Sequence, residues 1–438
     1  MLINKKTIIM LAAVGGGIFL AYFIGSKLLR LAGYNPPIVT QTPYRNGELG
    51  FLNLPDNLSI SVFAKDLEGP RVIAFDSSGR MLVSETKAGK VVMLEDADKD
   101  GVAEKKTVIL EKLKSPHGLA FYSENKTVYL YVAEAHQVSR FIYDVKTGQV
   151  VSKNGQNIVN FPDSGGHLTR TIAFGPNYRS NQILGENSQV NTQIKTKLYT
   201  SVGSSCDTCI EDNWKRAAIL ESDPAGSFTA EFAGGLRNSV FFTFHPQTNE
   251  IWATEMGRDN LGDNLPPDEV NIIKVAGPEH EFGARRYGWP FCYGNKTKDI
   301  KFNPSNVQRK DIPTNCSITE SPVIEIPAHS APLGLAFITS DKWPKEWRND
   351  LLVAYHGSWN RSEPTGYKIV KFKVDKDGNL STGSASSGQA IEDFINGWLA
   401  SDNNVLGRPV DLKFGPDGDG SLYISDDSAG VIYRVIPR

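Results

Sequence analysis

The sequence has no excess of charge of either sign, and it has few cysteines. Lys plus Arg is 47 and Asp plus Glu is 49 in a chain of 438 residues. This balance argues against a nucleic-acid binder, which usually carries a strong basic excess. Disorder is excluded because the chain has 7 Trp, 15 Tyr and 21 Phe, too many aromatics for a chain without a core. Gly and Pro are abundant, with 40 and 24 residues, which favours many short elements joined by turns.

A long uncharged run lies near the start of the chain, at residues 7–26, with basic residues on both sides. A helix of that length spans about 30 Å, the thickness of a bilayer core. No small-x-small cleavage site follows, which favours an uncleaved signal-anchor over a cleaved signal peptide. We therefore expect residues 1–30 to hold the protein in the cell membrane and residues 31–55 to be a linker. Residues 56–438 would form an extracytoplasmic domain, periplasmic or extracellular.

The four cysteines form a C-x-x-C pair, Cys206 and Cys209, and a wider pair, Cys292 and Cys316. A C-x-x-C can be redox-active or half of a zinc site, but zinc would need a second close pair of ligands. Behind a membrane-targeting segment, two disulfides are the better interpretation, 206 with 209 and 292 with 316. Free buried thiols are the alternative.

One unit recurs six times beyond residue 50: a short strand, a polar turn and a second strand that usually ends in a polar residue. The copies begin at Val72, Gly118, Thr171, Phe242, Gly334 and Val410. Short runs of alternating apolar and polar residues are typical of strands. Such sheets must stack to bury their faces, and radial stacking predicts an all-β, six-bladed β-propeller. A pair of β-sandwiches is the alternative. We expect the C-terminal strand to pair with residues 57–64 and close the ring.

Polar residues precede five of the six repeats at the same position: His117, His167, Arg237, His329 and Arg408. Because the loops on one face of a propeller converge at one mouth of its channel, these side chains should ring that mouth. Three His could bind a transition metal, but two Arg in the same ring favour an anionic ligand. His167 follows two Gly and is placed to act as a general base, with a surface His capping a turn as the alternative.

Two acidic loops are candidate cation sites. The first, residues 255–269, carries five carboxylates, which are ligands that Ca²⁺ prefers. The second contains Asp96, Asp98 and Asp100 and begins like an EF-hand loop, but its twelfth position is Thr107 instead of a bidentate Glu. An ordinary solvated loop is the alternative for the first, and a plain acidic turn is favoured for the second.

Seven motifs surround these positions. They are Gly165-Gly-His-Leu-Thr-Arg170, Gly235-Leu-Arg-Asn238, the run from Gly257 to Glu269, Tyr287-Gly-Trp-Pro-Phe-Cys-Tyr293, His329-Ser-Ala-Pro-Leu-Gly334, His356-Gly-Ser-Trp-Asn-Arg361 and Gly407-Arg-Pro-Val-Asp411. Together they resemble the glucose/sorbosone dehydrogenase family, soluble quinoproteins that use pyrroloquinoline quinone (PQQ) on a six-bladed propeller. The resemblance runs from about residue 55 to the end and is closest to the sorbosone dehydrogenase-like branch.

The resemblance implies a role for each matching residue. His167 matches the family's general base, which takes the proton of the substrate hydroxyl. Arg237 and Asn238 match residues that bind the cofactor, and Arg408 matches an Arg that pairs with its carboxylates. PQQ carries three carboxylates, so an Arg-rich mouth suits it.

Four further residues are candidates for the cofactor. His117 and His329 share the blade position of the residues above. A family Lys that contacts the cofactor has no single counterpart, and Arg361 and Lys368 are the candidates for its place. The chain also has Gly166 where the glucose-oxidising branch has Asp before the catalytic His.

The resemblance also implies a catalytic Ca²⁺. In the family the ion is held partly by backbone carbonyls just after the fourth repeat, and Gly257 and Arg258 match those positions. Asp268 and Glu269 lie beyond them as further candidate ligands. Arg258 replaces a Pro of the glucose-oxidising branch.

The leading hypothesis is a PQQ- and Ca²⁺-dependent enzyme that oxidises an aldose or sugar aldehyde to a lactone or acid. Electrons would pass to an external acceptor, a quinone or a cytochrome, and nucleic acid would not be a partner. A calcium-dependent lactonase-type hydrolase and a non-catalytic glycan-binding propeller are the alternatives.

Overall fold

The computed structural model describes residues 40–41, 49–179, 195–277, 283–305, 307, 309–381, 392–416 and 418–438. Throughout these ranges the fold is all-β, without an α-helix and with two short 3₁₀ turns, at Cys316–Ile318 and Lys345–Trp347. Within the described ranges no helix has the length and apolar character needed to cross a membrane. The signal-anchor predicted for residues 1–30 lies outside them.

Six sheets confirm the six predicted blades, and each blade has at least four strands. Blades 1 to 3 comprise Pro70–Phe75, Met81–Glu85, Lys90–Glu95 and Lys105–Leu110; Leu119–Glu124, Thr127–Ala133, Gln137–Asp144, Gln149–Val150 and Gln156–Asn160; and Ile172–Pro176, Thr196–Val202, Ala218–Ser222 and Thr229–Gly234. Blades 4 to 6 comprise Phe242–Phe244, Ile251–Glu255, Asp268–Ile273 and Ile324–Ile326; Pro332–Phe337, Leu351–Tyr355, Lys368–Phe372 and Glu392–Ile395; and Pro409–Phe414, Leu422–Asp426, Val431–Pro437 and Leu58–Ala64. Residues of all six first strands line a central channel, whose cavity is about 420 Å³.

The ring is closed by a strand from the N-terminal part of the chain. Leu58–Ala64 pairs antiparallel with Val431–Pro437, as expected, so blade 6 takes its outer strand from before blade 1. The preceding segment, which includes the end of the predicted linker, also packs on the propeller. Leu52 is buried there, and Asn53 bridges to Asn396 in blade 5. A two-residue strand, Thr40–Gln41, pairs parallel with Asn404–Val405.

In most blades the repeated Phe of the first strand packs against an aromatic ring of the preceding blade. Phe174 of blade 3 stacks on Tyr122 of blade 2, with ring centroids 4.5 Å apart. Phe337 of blade 5 meets Trp252 of blade 4 edge-on at 5.5 Å. The repeated Phe is therefore an inter-blade contact, which explains why the sequence unit recurs with it.

A long insertion joins the third and outer strands of blade 4 and reaches over blade 3. Its strand Arg285–Arg286 pairs parallel with Thr229–Gly234, and Arg286 Nη1 lies 2.7 Å from Glu231. A short hairpin, Cys292–Tyr293 with Thr297–Lys298, lies in the same insertion. The Cys292–Cys316 disulfide closes it, and the second predicted disulfide, Cys206–Cys209, is also present.

The EF-hand-like loop lies between the last two strands of blade 1. The ligand atoms of Asp96, Asp98, Asp100 and Glu104 lie within 4.8 Å of one another. All four carboxylates accept hydrogen bonds from backbone N–H groups of the loop, such as Gly101 N–H to Asp96 at 2.9 Å. The carboxylates therefore stabilise the turn itself.

Candidate active site

In blades 4 and 6 the second strand ends in an acidic residue, and its carboxylate binds the loop that precedes the first strand of the same blade. Glu255 accepts the N–H of Asn238 at 2.9 Å and the hydroxyl of Ser239 at 2.5 Å. Asp426 accepts the N–H of Arg408 at 2.9 Å in the same way. Burial raises the pKa of Glu255 to about 8 and that of Asp426 to about 6. The polar end of the repeat is therefore a backbone anchor that fixes where the candidate site residues lie.

His167 is oriented by its neighbour on the other loop of blade 3. Its Nδ1 lies 3.1 Å from the Ser204 carbonyl oxygen and 2.9 Å from the Ser204 hydroxyl. That hydroxyl donates its proton to the Cys206 carbonyl at 2.6 Å, so both Ser204 oxygens act as acceptors toward Nδ1. His167 therefore carries its proton on Nδ1 and leaves the lone pair of Nε2 as the basic site.

Burial and the nearby charge of Arg237, in that order, lower the pKa of His167 to about 4. We therefore expect the imidazole of the cofactor-free protein to titrate near pH 4 and to be neutral at pH 6. Histidine-selective ¹⁵N NMR across pH 3.5–8, with His167→Ala to assign the signal, measures this. A midpoint near 6.5 would contradict the buried, neutral imidazole.

Ion pairs and hydrogen bonds join the mouth loops of blades 3, 4 and 5. Arg237 of blade 4 donates to Asp207 of blade 3 at 2.8 Å and to Asp259 at 3.1 Å. Asp259 accepts from the side-chain amide of Asn360 of blade 5 at 2.7 Å. His329 Nδ1 is 4.0 Å from the same carboxylate, and its Nε2 is 2.8 Å from a carbonyl of the blade 4 loop.

The contacts continue through blades 6, 1 and 2. His356 Nε2 is 2.9 Å from Asp427, whose other oxygen is 2.5 Å from Arg71. His117 is completely buried, and its Nδ1 lies 3.3 Å from the Arg170 carbonyl of blade 3. Its Nε2 has no hydrogen-bond partner among the described residues. His117 therefore lies inside the wall of the mouth, and the five position-matched residues all belong to one ring of loops.

The guanidinium groups of Arg408 and Arg361 at the mouth have no carboxylate within ion-pair distance in the described part of the chain. Arg408 donates to the carbonyl of Gly357 at 2.9 Å and to the hydroxyl of Tyr367 at 3.1 Å, and it lies 4.7 Å from that ring. Arg361 donates to the Ala328 carbonyl and the Asn264 side chain, both at 3.2 Å. Two uncompensated positive charges fit a carboxylate-bearing ligand.

Lys368 is separated from this group. It begins the third strand of blade 5, and its Nζ lies 2.5 Å from Asp393 at the outer edge of that blade. Arg361 is therefore the candidate that the structure places at the mouth.

The predicted metal residues divide into two sets. The carbonyl of Gly257 faces the mouth, where it accepts from Arg237 Nη1 at 2.8 Å, and the side chain of Arg258 is paired with Asp299 at 2.8 Å. Asp268 and Glu269 are buried behind the loop, and burial raises the pKa of each to about 7.

Those two buried carboxylates are occupied by the protein itself. Asp268 accepts the N–H groups of Gly257 and Ala331, both at 2.9 Å. Glu269 accepts from Gly294 N–H and from an Asn side chain. Both residues therefore support the loop from behind. The oxygens gathered at the mouth near Gly257 are backbone carbonyls and the carboxylates of Asp207 and Asp259, which are ligands that a hard cation prefers. In this structure they accept hydrogen bonds from the Arg237 guanidinium.

A family model described as TrAA12-like matches residues 52–437. The chain belongs to the TrAA12-like family. It is 31% identical over 386 residues to an uncharacterized protein of Borreliella burgdorferi, covering 88% of this chain and 90% of that one. It is 24% identical to a pyrroloquinoline quinone-dependent pyranose dehydrogenase of Coprinopsis cinerea, covering 88% of this chain and 54% of the relative's length. The calcium structure of the Trichoderma reesei carbohydrate-active enzyme of family AA12 superposes with a TM-score of 0.70, at 22% identity, over 92% of this chain and 99% of the other.

Sequence reasoning missed several residues at the mouth of this TrAA12-like propeller. Asp207 pairs with the candidate Arg237, and Asn360 donates to Asp259 of the candidate acidic loop. Arg71 and Asp427 pair with each other, and Asp427 also contacts His356. Asp207, Asn360 and Asp427 lie in loops between second and third strands, which carry no repeated pattern. The C-x-x-C around Asp207 was the available signal, because it marks a constrained loop directly after a repeat.

The two loops that meet at His167 are so close that one position excludes a side chain. A Cβ at Gly203 would lie 2.6 Å from the Cβ of His167 and 2.7 Å from Asn238 Oδ1. We expect Gly203→Ala to cost about 1–3 kcal/mol of the free energy of unfolding, as overpacking does, and to displace the imidazole. Gly166→Ala is the matched control, because its Cβ would meet nothing closer than 3.6 Å. Denaturant titration of both variants measures the difference, and equal stability would contradict the close approach.

Proposed function

We propose that this protein is a PQQ- and Ca²⁺-dependent dehydrogenase that oxidises an aldose, or a sugar aldehyde as in the sorbosone dehydrogenase-like branch, to a lactone or acid. The observation that carries the proposal is a neutral His with a lone pair on Nε2, set in a ring with two uncompensated guanidinium groups. Membership of the TrAA12-like family and the sugar dehydrogenase named among its relatives support it.

The chain's residues would divide the work as follows. Arg408 and Arg361 would bind cofactor carboxylates, with Arg237, Asn238, His117 and His329 around them. When bound, PQQ supplies a two-electron acceptor and Ca²⁺ withdraws charge from its quinone oxygens. The carbonyls of Gly257 and Arg258 would hold the ion, with Asp207 and Asp259 beside them.

His167 would act on the substrate hydroxyl at the carbon that is oxidised. Its Nε2 would accept the hydroxyl proton as the C–H bond breaks, while Ser204 keeps the ring oriented through Nδ1. Because burial and Arg237 disfavour the imidazolium, the proton would be released readily to water. Electrons would then leave to an external quinone or cytochrome.

We also propose that the enzyme works outside the cytoplasm, tethered by residues 1–30. The proposal rests on the apolar run in that segment. The two disulfides are consistent with an oxidising compartment.

One observation favours the dehydrogenase over the hydrolase. A lactonase-type site needs a central ion held by side-chain carboxylates and Asn. At the mouth the carboxylates of Asp207 and Asp259 are paired with Arg237, and Arg408 and Arg361 belong to the same ring of loops, so the site is built around guanidinium groups.

Reconstitution tests the proposal. The full-length chain would be titrated with PQQ, with and without Ca²⁺, and dye reduction followed with a panel of aldoses. Turnover that needs both additions supports the proposal. A folded protein that does not bind PQQ by calorimetry would refute it and shift the weight to the hydrolase and the glycan-binding propeller.

A further inference from the structure

One short loop contacts both the His167 loop and the Arg237 side of the mouth. We call residues 203–211 the bridged loop, because the Cys206–Cys209 disulfide closes it. It connects the second and third strands of blade 3. At its end Glu211 accepts from the N–H and the hydroxyl of Ser205, at 2.5 Å or less and at 2.9 Å. The Glu211 side chain and the disulfide therefore together fix the turn at residues 205–211.

On one side, the bridged loop carries the candidate base. Ser204 engages the Nδ1 of His167, and the Ser205 carbonyl accepts Gly166 N–H at 2.7 Å. A Cβ at Gly165 would lie 2.4 Å from that same carbonyl. The His167 loop therefore rests directly on the residues that precede Cys206.

On the other side, the bridged loop holds two arginines of blade 4. Asp207 lies inside the disulfide turn, and its carboxylate is 2.8 Å from Arg237 and 3.8 Å from Arg258. The same carboxylate accepts Asp259 N–H at 2.7 Å. The Asp207 carbonyl accepts from Arg237 Nε at 3.0 Å and from Trp289 Nε1 at 3.1 Å.

The start of the bridged loop has a second support. Arg216 is buried and donates to the carbonyls of Gly166 and Gly203, both at 3.2 Å, and to that of Ser164. Opening the disulfide would therefore release the turn that contains Asp207 while blade 3 and its first contacts remain in place.

We propose that the Cys206–Cys209 disulfide is a redox-controlled brace of the mouth: a dithiol that reduces it loosens Asp207 and the His167 loop and weakens cofactor binding. That the weakened ligand is PQQ rests on the proposed function, whereas the loosening of the two loops does not. The step is thiol–disulfide exchange. One protein S–S bond breaks, two protein thiols form, and the dithiol gives up two electrons and two protons as it closes to its own disulfide.

The two disulfides differ in access. Cys206 and Cys209 are partly exposed, whereas Cys292 and Cys316 are 4% and 8% exposed. Thiol–disulfide exchange needs contact with the attacking thiolate. Mild dithiol should therefore open the bridged loop and leave the insertion disulfide closed, which alkylation and peptide mass analysis can verify.

The test compares oxidised and dithiol-reduced full-length protein by hydrogen exchange and by PQQ titration. We expect at least tenfold faster exchange at the amides of Gly166 and Asp259, which the bridged loop holds, and at least tenfold weaker PQQ binding. A double variant, Cys206→Ser with Cys209→Ser, should match the reduced protein and no longer respond to dithiol. The melting temperature of the double variant should stay close to that of the parent if the loosening is local, and it should fall if the whole domain is destabilised.

Three results would overturn the brace. They are unchanged exchange at both amides after verified reduction, faster exchange confined to residues 205–209, and a dithiol response that persists in the double variant. If the oxidised protein does not bind PQQ at all, the proposed function fails, yet the exchange measurement still decides the brace.

Discussion

Replacing His167 with Ala is expected to lower kcat of the reconstituted enzyme by about 10²–10⁴-fold, the usual contribution of a general base. PQQ should still bind, because the charges that suit its carboxylates belong to Arg408 and Arg361 and not to the imidazole. Added imidazole should restore part of the rate by occupying the space left by the ring. Steady-state kinetics and a PQQ titration of the same preparation separate the two effects.

His136→Ala is the matched control for this variant. His136 is partly exposed in the loop after the second strand of blade 2, on the same face but outside the ring of contacts around the mouth. Its turnover should stay within about twofold of the parent, as for most surface substitutions. If both variants keep the parent rate, the base is another group and His167 has a structural role.

Replacing Arg408 with Gln is expected to weaken PQQ binding by about 100-fold. Hydrogen bonds to a charged group contribute about 1.5–3 kcal/mol, and every 1.4 kcal/mol is about tenfold in affinity. The Gln side chain can still donate to the Gly357 carbonyl, so the fold should be kept. The salt dependence of binding should also become weaker, because one charge has left the site.

Two other variants serve as controls for Arg408→Gln. Arg438→Gln removes an equal charge far from the mouth, where Arg438 donates to the Asp56 carbonyl, and affinity should not change. Lys368→Met tests the second candidate for the family Lys, and the ion pair with Asp393 predicts little effect. A large loss in Lys368→Met with none in Arg408→Gln would reverse the assignment of the cofactor-binding side chains.

The sequence was enough to predict six blades and the closing strand, because both follow from alternation and repetition. A first strand such as Ile172–Pro176 has to bury one face against the preceding blade, and its Phe174 shows which face that is. The candidate residues just before these strands could also be predicted, because the repeat shows where each first strand begins. The ring of His117, His167, Arg237, His329 and Arg408 follows from that alone.

The alternation of apolar and polar residues could not predict which side chains pair with one another. Alternation cannot tell that both Asp268 and Glu269, although adjacent in one strand, are buried and hold backbone N–H groups. Nor can it tell that Lys368 is paired with Asp393, since that partner comes from another strand of the blade. The loops between second and third strands vary in length, so Asp207 has no counterpart at the same position in the other repeats.

The closing strand has a consequence for biosynthesis. Leu58–Ala64 leaves the ribosome before any blade, while its partner Val431–Pro437 follows all the others. Blades 1 to 5 can assemble in chain order, but the early strand must wait with its N–H and C=O groups unpaired, and unpaired strand edges invite pairing with other chains. We therefore expect chains that stop short of residue 431 to aggregate or be degraded, so that cells accumulate the complete ring and no five-bladed intermediate.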